Sequence, residues 1–488
     1  MSVRLRLHLL ALALLALLVP SDDTRLAADE APRPREKASQ SEDEAPTTRL
    51  SLVAAAEPSP ALRYRLLPSL LDQRPGNAAV FYNKANLILS QRGDGNKEFE
   101  KVDKWLETPL DKLPSEEVRQ FIDQHESIFN ELRFAIRREE CDWQTPLREQ
   151  MPYAILLPEV QQFRSLARLV ALKARLQIAQ GNTDEAITSL AMGYAMARHV
   201  GSGVTLIQSL VGLAVASIMT NQAQALAERA DGPNLYWAYT ALPHPFIGLQ
   251  RANEFEFDMV YLWHPEWRTR HELVYSAAQW QEMWQSLVRS MSELDSGRPN
   301  EADQLLVVGF AVGRYGRAKR WLVDQGRAQD EVEAMPVAQV MVLYTLDTYD
   351  ALRDDLFKWL GLPYWQAYEH LRKHDELLRQ ASLEREILPL ARTVLPAIGG
   401  VAFAQARSER SICLARIIEA LRLYAAAHEG RLPAQLADVT EVPIPRDPVT
   451  GGEFLYSLSG DAAVLATPLP EGLPQQTHGV RYEIKIRR

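Results

Sequence analysis

The chain has 488 residues, of which 47% are hydrophobic and 24% are charged, and its formal net charge is −9. This is the composition of an ordinary globular protein, and the length is sufficient for two or three domains. The acidic balance argues against a dedicated nucleic-acid binder, which would need a basic face, so no nucleic acid is expected as a partner.

The first segment has the pattern of an export signal. Arg4 and Arg6 precede an unbroken apolar run over Leu9–Val19, which has the length of a signal-peptide core and is too short to span a bilayer. We therefore predict a signal peptide over residues 1–28, a periplasmic or extracellular location, and no transmembrane span after cleavage. The alternative is an uncleaved segment that tethers the protein to the membrane.

Residues 29–60 are rich in Glu, Ser, Thr, Ala and Pro and contain no aromatic residue. Such a segment buries too little apolar surface to offset the entropy of ordering, so we predict a disordered linker. A helical pattern then dominates residues 61–230. Within it, Ser115 is placed to cap a helix that extends to Ile136, and His125 lies on its apolar face, where a core histidine is the expected role.

The segment Leu166–His199 has the strongest helical pattern in this region. Its first helix closes at Gly181, and its second carries the small Ala186 and the larger Leu190 at core positions. The pair resembles one tetratricopeptide (TPR) unit, which implies a TPR-like helical body. An ordinary αα-hairpin is the alternative interpretation.

Residues 231–270 are interrupted repeatedly by proline, and we predict an irregular connector there. Residues 271–398 return to helical periodicity, with long helices over Ala334–Leu360 and Tyr364–Glu386. The pair Gly399-Gly400 marks the predicted boundary with the C-terminal module.

Residues 399–488 are predicted to form a small α+β module. A helical pattern over Arg407–Ala427 stops at Gly430 and Pro433, as helix ends commonly do. Strand patterns follow over Glu453–Leu458, Ala462–Ala466 and Val480–Ile486. The expected fold class is therefore mainly α, with a helical-hairpin (TPR-like) body and a small C-terminal α+β module.

Two resemblances extend this interpretation. The order of elements at the C-terminal end resembles the soluble domain of type II secretion pseudopilins. In this chain, a helix that ends with Leu423-Tyr424 is followed by a Gly and a Pro, and then by the turn Asp447–Gly451. Most of the mature chain also resembles a family of uncharacterised exported bacterial proteins, which implies export but no activity. The segments that carry this second resemblance are Leu70–Ala79, Leu166–Gly181, Arg198–Gly212, Glu333–Val340 and Ile418–Val439.

Two clusters have the residue types needed for catalysis or metal binding. The first cluster combines carboxylates and histidines among aromatic residues, as acid–base catalysis or metal binding requires. A solvated face of a helix is the commoner origin of such a pattern. In the other, His370 and His374 share a helix face, but Leu371 stands where a metalloprotease has its glutamate, so exposed histidines are expected. The first cluster consists of Glu254, Glu256, Asp258, His264, Glu266, His271 and Glu272.

The remaining candidates are weaker. Some pseudopilins bind calcium near the turn that here carries Asp447, Glu453 and Asp461, but the spacing is loose and a solvated turn is expected. Ser202 lacks the strand–turn–helix setting of a hydrolase nucleophile, and Gly309–Gly313 lacks the Lys and Ser/Thr of a phosphate loop. We therefore assign no catalytic, cofactor-binding or metal-binding residue, and we expect no cofactor.

The two cysteines, Cys141 and Cys413, fall in separate predicted domains and are expected to be independent thiols, with a disulfide in an oxidising compartment as the alternative. For the whole chain, the leading hypothesis is an exported, non-enzymatic scaffold that binds an unknown protein partner in the cell envelope. The alternatives are an envelope hydrolase or metal-dependent enzyme that uses a Glu/His cluster, and an accessory component of a secretion or pilus-like assembly. Catalytic groups can converge from distant positions, so the lack of motifs does not exclude an enzyme.

Overall fold

The computed structural model describes residues 45–91, 95–147, 159–296, 301–380, 395 and 397–487. The predicted signal peptide and the first part of the predicted linker lie outside these residues. As the sequence predicted, the protein is mainly α with a small α+β module.

The helices are labelled α1 to α17 in chain order over the described residues. The first nine are α1 (Ala79–Ser90), α2 (Gly95–Glu107), α3 (Ser115–Gln124), α4 (Glu126–Ala135), α5 (Glu159–Gln180), α6 (Thr183–Gly201), α7 (Leu206–Ala227), α8 (Tyr236–Thr240) and α9 (Gln250–Trp263). The others are α10 (Pro265–Arg268), α11 (Ala277–Ser296), α12 (Glu301–Asp324), α13 (Gln329–Ala334), α14 (Val337–Leu360), α15 (Tyr364–Gln380), α16 (Ala397–Ala427) and α17 (Gln475–His478).

The strands form two sheets. Four strands pair in the order β1-β6-β5-β4, with β1 parallel to β6 and the other two pairings antiparallel. The short strands β2 and β3 pair with each other. The strands are β1 (Thr47–Val53), β2 (Arg74–Asn77), β3 (Arg138–Glu140), β4 (Leu455–Ser459), β5 (Ala462–Ala466) and β6 (Arg481–Arg487).

The described residues form two compact units. We call them the sheet unit, which comprises residues 45–143, 159–249 and 404–487, and the helical unit, which comprises residues 144–147 and the described part of 250–403. Residues 404–487, which make up most of the predicted C-terminal module, thus belong to the same compact unit as the N-terminal helices.

Helices α5, α6 and α7 pack against one another in the sheet unit. The predicted helical pair is present as α5 and α6, and Gly181 adopts a φ of +77° at the turn between them. The next pair, α6 and α7, packs at close range: a Cβ on Gly212 would lie 2.6 Å from the backbone oxygen of Ala197. The TPR-like interpretation of this hairpin stays a prediction.

Helix α7 is the one described helix that is long and apolar enough to cross a membrane by length and composition. In its most apolar window, 72% of the residues are buried inside the protein. Buried core helices pass the same test, so one such helix is weak evidence for a membrane span.

The core of the α+β module lies between the four-stranded sheet and α16. Leu414, Ile417, Ile418 and Leu421 on one side of α16 pack against Leu52, Leu465 and Ile484 of the strands. These apolar residues recur at spacings of three and four on the helix and of two on the strands, as burial of one face of each element requires.

Several predicted boundaries are wrong. Thr47–Val53 belongs to the predicted disordered linker, yet it forms β1 because its seven residues pair in register with β6. The predicted irregular connector contains the helix α9, and Gly399-Gly400 lies inside α16. The helix predicted from Ser115 is divided at His125, which is 1% exposed and whose Nδ1 lies 2.7 Å from the Phe121 oxygen. His125 is therefore a core residue, as predicted.

Candidate functional site

The best-defined site is the exposed edge of the four-stranded sheet, which a buried ion pair helps to position. Arg410 of α16 forms a bidentate ion pair with Asp447, at 2.8 and 2.7 Å, and both side chains are buried. The backbone oxygen of Asp447 accepts a hydrogen bond from the Gly451 amide, and the Asp447 amide donates to the Gly452 oxygen. The ion pair thus fixes the turn that leads into β4 against α16.

This arrangement corrects the sequence interpretation of the acidic turn. Asp447 was expected in a solvated turn but is fully buried, because it neutralises Arg410 and accepts a hydrogen bond from the Thr450 hydroxyl. Asp461 is exposed and pairs with Lys485 instead. Asp447 and Asp461, which a calcium site would have to bring together, therefore have different partners.

The outer edge of β4 is open: within the described part of the chain, β4 pairs only with β5. One row of side chains crosses the sheet on the face toward α16 and consists of Leu50, Ile484, Ala463 and Leu458. The first three are buried, whereas Leu458 is 37% exposed. The core layer is thus incompletely covered where the sheet ends.

At the opposite edge of the sheet, a main-chain group of β1 already has a hydrogen-bond partner. There, the Ser51 amide of β1 donates a hydrogen bond to a carboxylate oxygen of Glu228, at 3.2 Å. Strand β4, with the sequence Leu-Tyr-Ser-Leu-Ser, has no charged residue and no proline, which are the usual means of blocking an edge. An extended peptide could therefore pair with β4 through main-chain hydrogen bonds.

A second buried pair joins three segments of the sheet unit. Arg422 is completely buried and donates hydrogen bonds to the backbone oxygens of Val53, Gly232 and Pro233. It also pairs with Glu419 at 2.7 Å. Burial raises the pKa of Glu419, and the Arg422 charge opposes that rise. The pair ties the end of β1 and the segment before α8 to α16.

In the helical unit, the predicted carboxylate–histidine cluster is partly replaced by an arginine–aspartate network. Arg270 pairs with Asp347 at 2.8 Å and also with Asp350, and Arg353 binds Asp350 at 2.9 Å. Burial alone would lower the pKa of Arg270, but Tyr261 and the two aspartates raise it. The network holds α14 to the loop after α10, and its arginine and aspartate charges neutralise one another.

Both histidines of the predicted cluster have partners. Nε2 of His271 lies 2.8 Å from Asp347, and its Nδ1 lies 3.1 Å from an Arg327 nitrogen. Because Arg327 can only donate, Nδ1 must accept and Nε2 must carry the proton. His264 stacks on Trp267 at 3.7 Å, and its Nε2 lies 2.8 Å from the Ser290 hydroxyl.

The other members of that cluster do not converge on His271. Glu266 contacts His264 at 3.1 Å, and Glu254 accepts a hydrogen bond from Gln250 on the exposed side of α9. Glu272 is exposed, and Glu256 and Asp258 are half-buried on α9. Asp347 and Asp350, which do bind His271 and Arg270, lie about eighty residues away in the chain, so a local search could not find them.

The histidine pair on α15 was expected to be exposed, and this is wrong for His374. Its side chain is buried, and its Nε2 lies 2.9 Å from the Leu352 oxygen. His370 instead stacks on Trp359 at 3.5 Å. Throughout the described residues, no group of three or more His, Cys, Asp or Glu side chains is arranged to hold a metal ion.

The cysteines are both free thiols, and they lie in the same unit rather than in separate domains. Burial raises the pKa of each, that of Cys413 to about 12. Neither thiol is therefore activated as a nucleophile near neutral pH.

Sequence reasoning also missed a buried aromatic cluster around His199. The Tyr82 hydroxyl lies 2.9 Å from His199 Nδ1, and the Trp143 indole donates to the His199 backbone oxygen at 3.0 Å. Burial, followed by the Arg198 charge, lowers the pKa of His199 from 6.5 to about 4. The imidazole is thus neutral and joins α1 to α6.

Comparison with known proteins gives no match: a scan against family models, a search of curated proteins and a search of solved structures are each negative.

Proposed function

We propose that this protein is exported to the cell envelope and acts there as a non-enzymatic scaffold that binds a protein partner through its α+β module. The observation that carries the proposal is the open edge of β4 beside the incompletely covered Leu458. The partner contributes an extended segment that pairs with β4.

The chemistry of the edge defines this segment further. Main-chain groups of β4 supply the hydrogen bonds, so the partner needs no particular sequence for pairing. On the face toward α16, an apolar side chain beside Leu458 would continue the row that begins at Leu50. Because β4 has no charge, a segment without charges at its centre fits best.

The non-enzymatic part of the proposal rests on where the titratable groups are. His271, Asp347 and Arg270 bind one another or Arg327, and His374 is buried against a backbone oxygen. Such bonds fix elements of the fold and leave these groups committed to structural contacts.

The test is an affinity capture from envelope extract after cross-linking. Leu455→Lys/Leu458→Lys places two charges on the open edge, and Val274→Lys, at a fully exposed position of the helical unit, is the matched control. We expect the wild type and the control to capture the same stoichiometric partner and the double variant to lose it. Equal capture by all three proteins would contradict binding at β4.

The non-enzymatic part of the proposal has its own test. Hydrolase substrates are screened with the wild type, His271→Gln and Asp347→Asn. A turnover that either substitution abolishes, in a protein with unchanged circular dichroism, would contradict the non-enzymatic assignment.

A further inference from the structure

A turn between residues 69 and 72 of the sheet unit presents two leucines to solvent. Leu70 is 80% exposed and Leu71 is 88% exposed. The turn is closed by Ser69 and Asp72, since the Ser69 hydroxyl and amide both donate to the Asp72 carboxylate, at 2.6 and 3.2 Å. These two leucines are therefore held outward by a hydrogen-bonded turn.

The segment after the turn is attached to the residues that follow α4 by two hydrogen bonds. The Arg74 amide donates to the Arg137 oxygen at 2.6 Å, and an Arg138 guanidinium nitrogen donates to the Pro75 oxygen at 2.8 Å. Phe134, which is 54% exposed, lies in the last turn of α4. The exposed phenylalanine and the exposed leucines thus belong to neighbouring segments.

The charge around this turn is opposite to that of the whole protein. Residues 61–78 carry three arginines and one aspartate, whereas the chain has a net charge of −9. Arg65, Arg74 and Arg137 are all exposed. The pKa of Asp72 is lowered mainly by its hydrogen bonds with Ser69, and the charges of Arg137 and Arg65 lower it further.

We propose that Leu70, Leu71 and Phe134 insert into the headgroup boundary of an anionic lipid surface while Arg65, Arg74 and Arg137 bind the lipid phosphates. We call these six residues the lipid-binding surface. Basic residues beside protruding apolar side chains are the combination that favours such a surface. A lipid surface is favoured over a protein partner because the exposed arginines around the leucines complement lipid phosphates.

The test uses the full chain and vesicles of phosphatidylglycerol with phosphatidylcholine, compared with phosphatidylcholine alone, in a flotation assay. Leu70→Ser/Leu71→Ser removes the apolar pair of the turn. The matched control is Leu273→Ser/Val274→Ser, which removes two consecutive exposed apolar residues of the helical unit. All variants keep the same N-terminal segment, so differences between them report on the turn.

We expect the first variant to bind phosphatidylglycerol vesicles at least tenfold more weakly than the wild type and the control to bind as the wild type does. Replacing the three arginines by glutamine should weaken binding about fivefold for each one and reduce its salt dependence. Equal binding by all variants would overturn the proposal, as would equal binding to both kinds of vesicle.

A site-specific measurement remains valid even if a variant is less stable. An environment-sensitive fluorophore on Leu71→Cys should shift to shorter wavelength with phosphatidylglycerol vesicles, and the same label on Val274→Cys should not. An unchanged spectrum at residue 71 would show that the turn stays in water and would contradict the proposal.

Discussion

Lowering the pH should destabilise the sheet unit through His199. In the folded state, Nδ1 of His199 accepts a hydrogen bond from the Tyr82 hydroxyl, and the ring also bonds to the backbone of Arg138. Protonating Nδ1 would break the first bond and place a charge in a buried aromatic cluster. The folded protein therefore resists a proton that the unfolded chain accepts freely.

The magnitude follows from the two pKa values. The unfolded histidine titrates at 6.5 and the folded one at about 4, so between these values the unfolded state binds more protons. The contribution of neutral His199 to the free energy of unfolding is therefore present above pH 6.5, decreases as the pH falls, and is lost below about pH 4. Linkage gives a loss of about 2 kcal/mol in the free energy of unfolding between about pH 7.5 and about pH 5.

The assay is urea unfolding of the wild type and His199→Gln at both pH values. Glutamine can accept a hydrogen bond from Tyr82 and donate one to a backbone oxygen, but it does not titrate. The raised pKa values of the buried Glu409 and Glu419 act in the opposite direction and are shared by both proteins. The difference between the two pH dependences therefore isolates His199.

We expect the wild type to lose about 2 kcal/mol more than His199→Gln over this range. Equal losses would refute the reasoning. A resonance of the His199 ring that titrates near its ordinary pKa in the folded protein would refute it independently.

Further substitutions test the packing and the buried pairs. Arg422→Met should reduce the free energy of unfolding by roughly 3–5 kcal/mol, because it leaves Glu419 buried without its cation, and adding Glu419→Gln should restore part of the loss measured by urea unfolding. Asp447→Asn should cost a similar amount, whereas Asp461→Asn at an exposed turn should change stability by less than about 0.5 kcal/mol. Gly212→Ala should cost at least about 1–3 kcal/mol, since its Cβ would meet a backbone oxygen of α6, and an unchanged thermal midpoint would contradict this close packing.

Local patterns were enough to predict the hairpin of α5 and α6, the long helix α14 and the C-terminal strands. The hairpin of α5 and α6 and the long helix α14 have regular apolar spacing and clear ends. The first strand was missed for a physical reason: Thr47–Val53 gains its partner only from β6, which lies more than four hundred residues away. Composition over a local window cannot indicate such a pairing.

The polar contacts were harder to predict than the fold. Arg410 is one of several charged residues in the helical pattern over Arg407–Ala427, and Asp447 was expected in a solvated turn, yet each is buried because the other neutralises it. A signal existed, since a charged residue on the apolar side of α16 requires a partner. The identity of that partner depends on how the chain folds back, which spacing alone does not reveal.

The pairing of β1 with β6 has a consequence for how the protein matures. The Arg49 and Glu483 side chains that meet across these strands are separated by 434 positions, and the described part of 250–403 belongs to a different compact unit. During synthesis, β1 must wait until nearly all of the intervening chain has been made before its partner exists. The four-stranded sheet therefore cannot be completed before β6 has been synthesised, and pairing over so long a separation makes its closure a late step in folding.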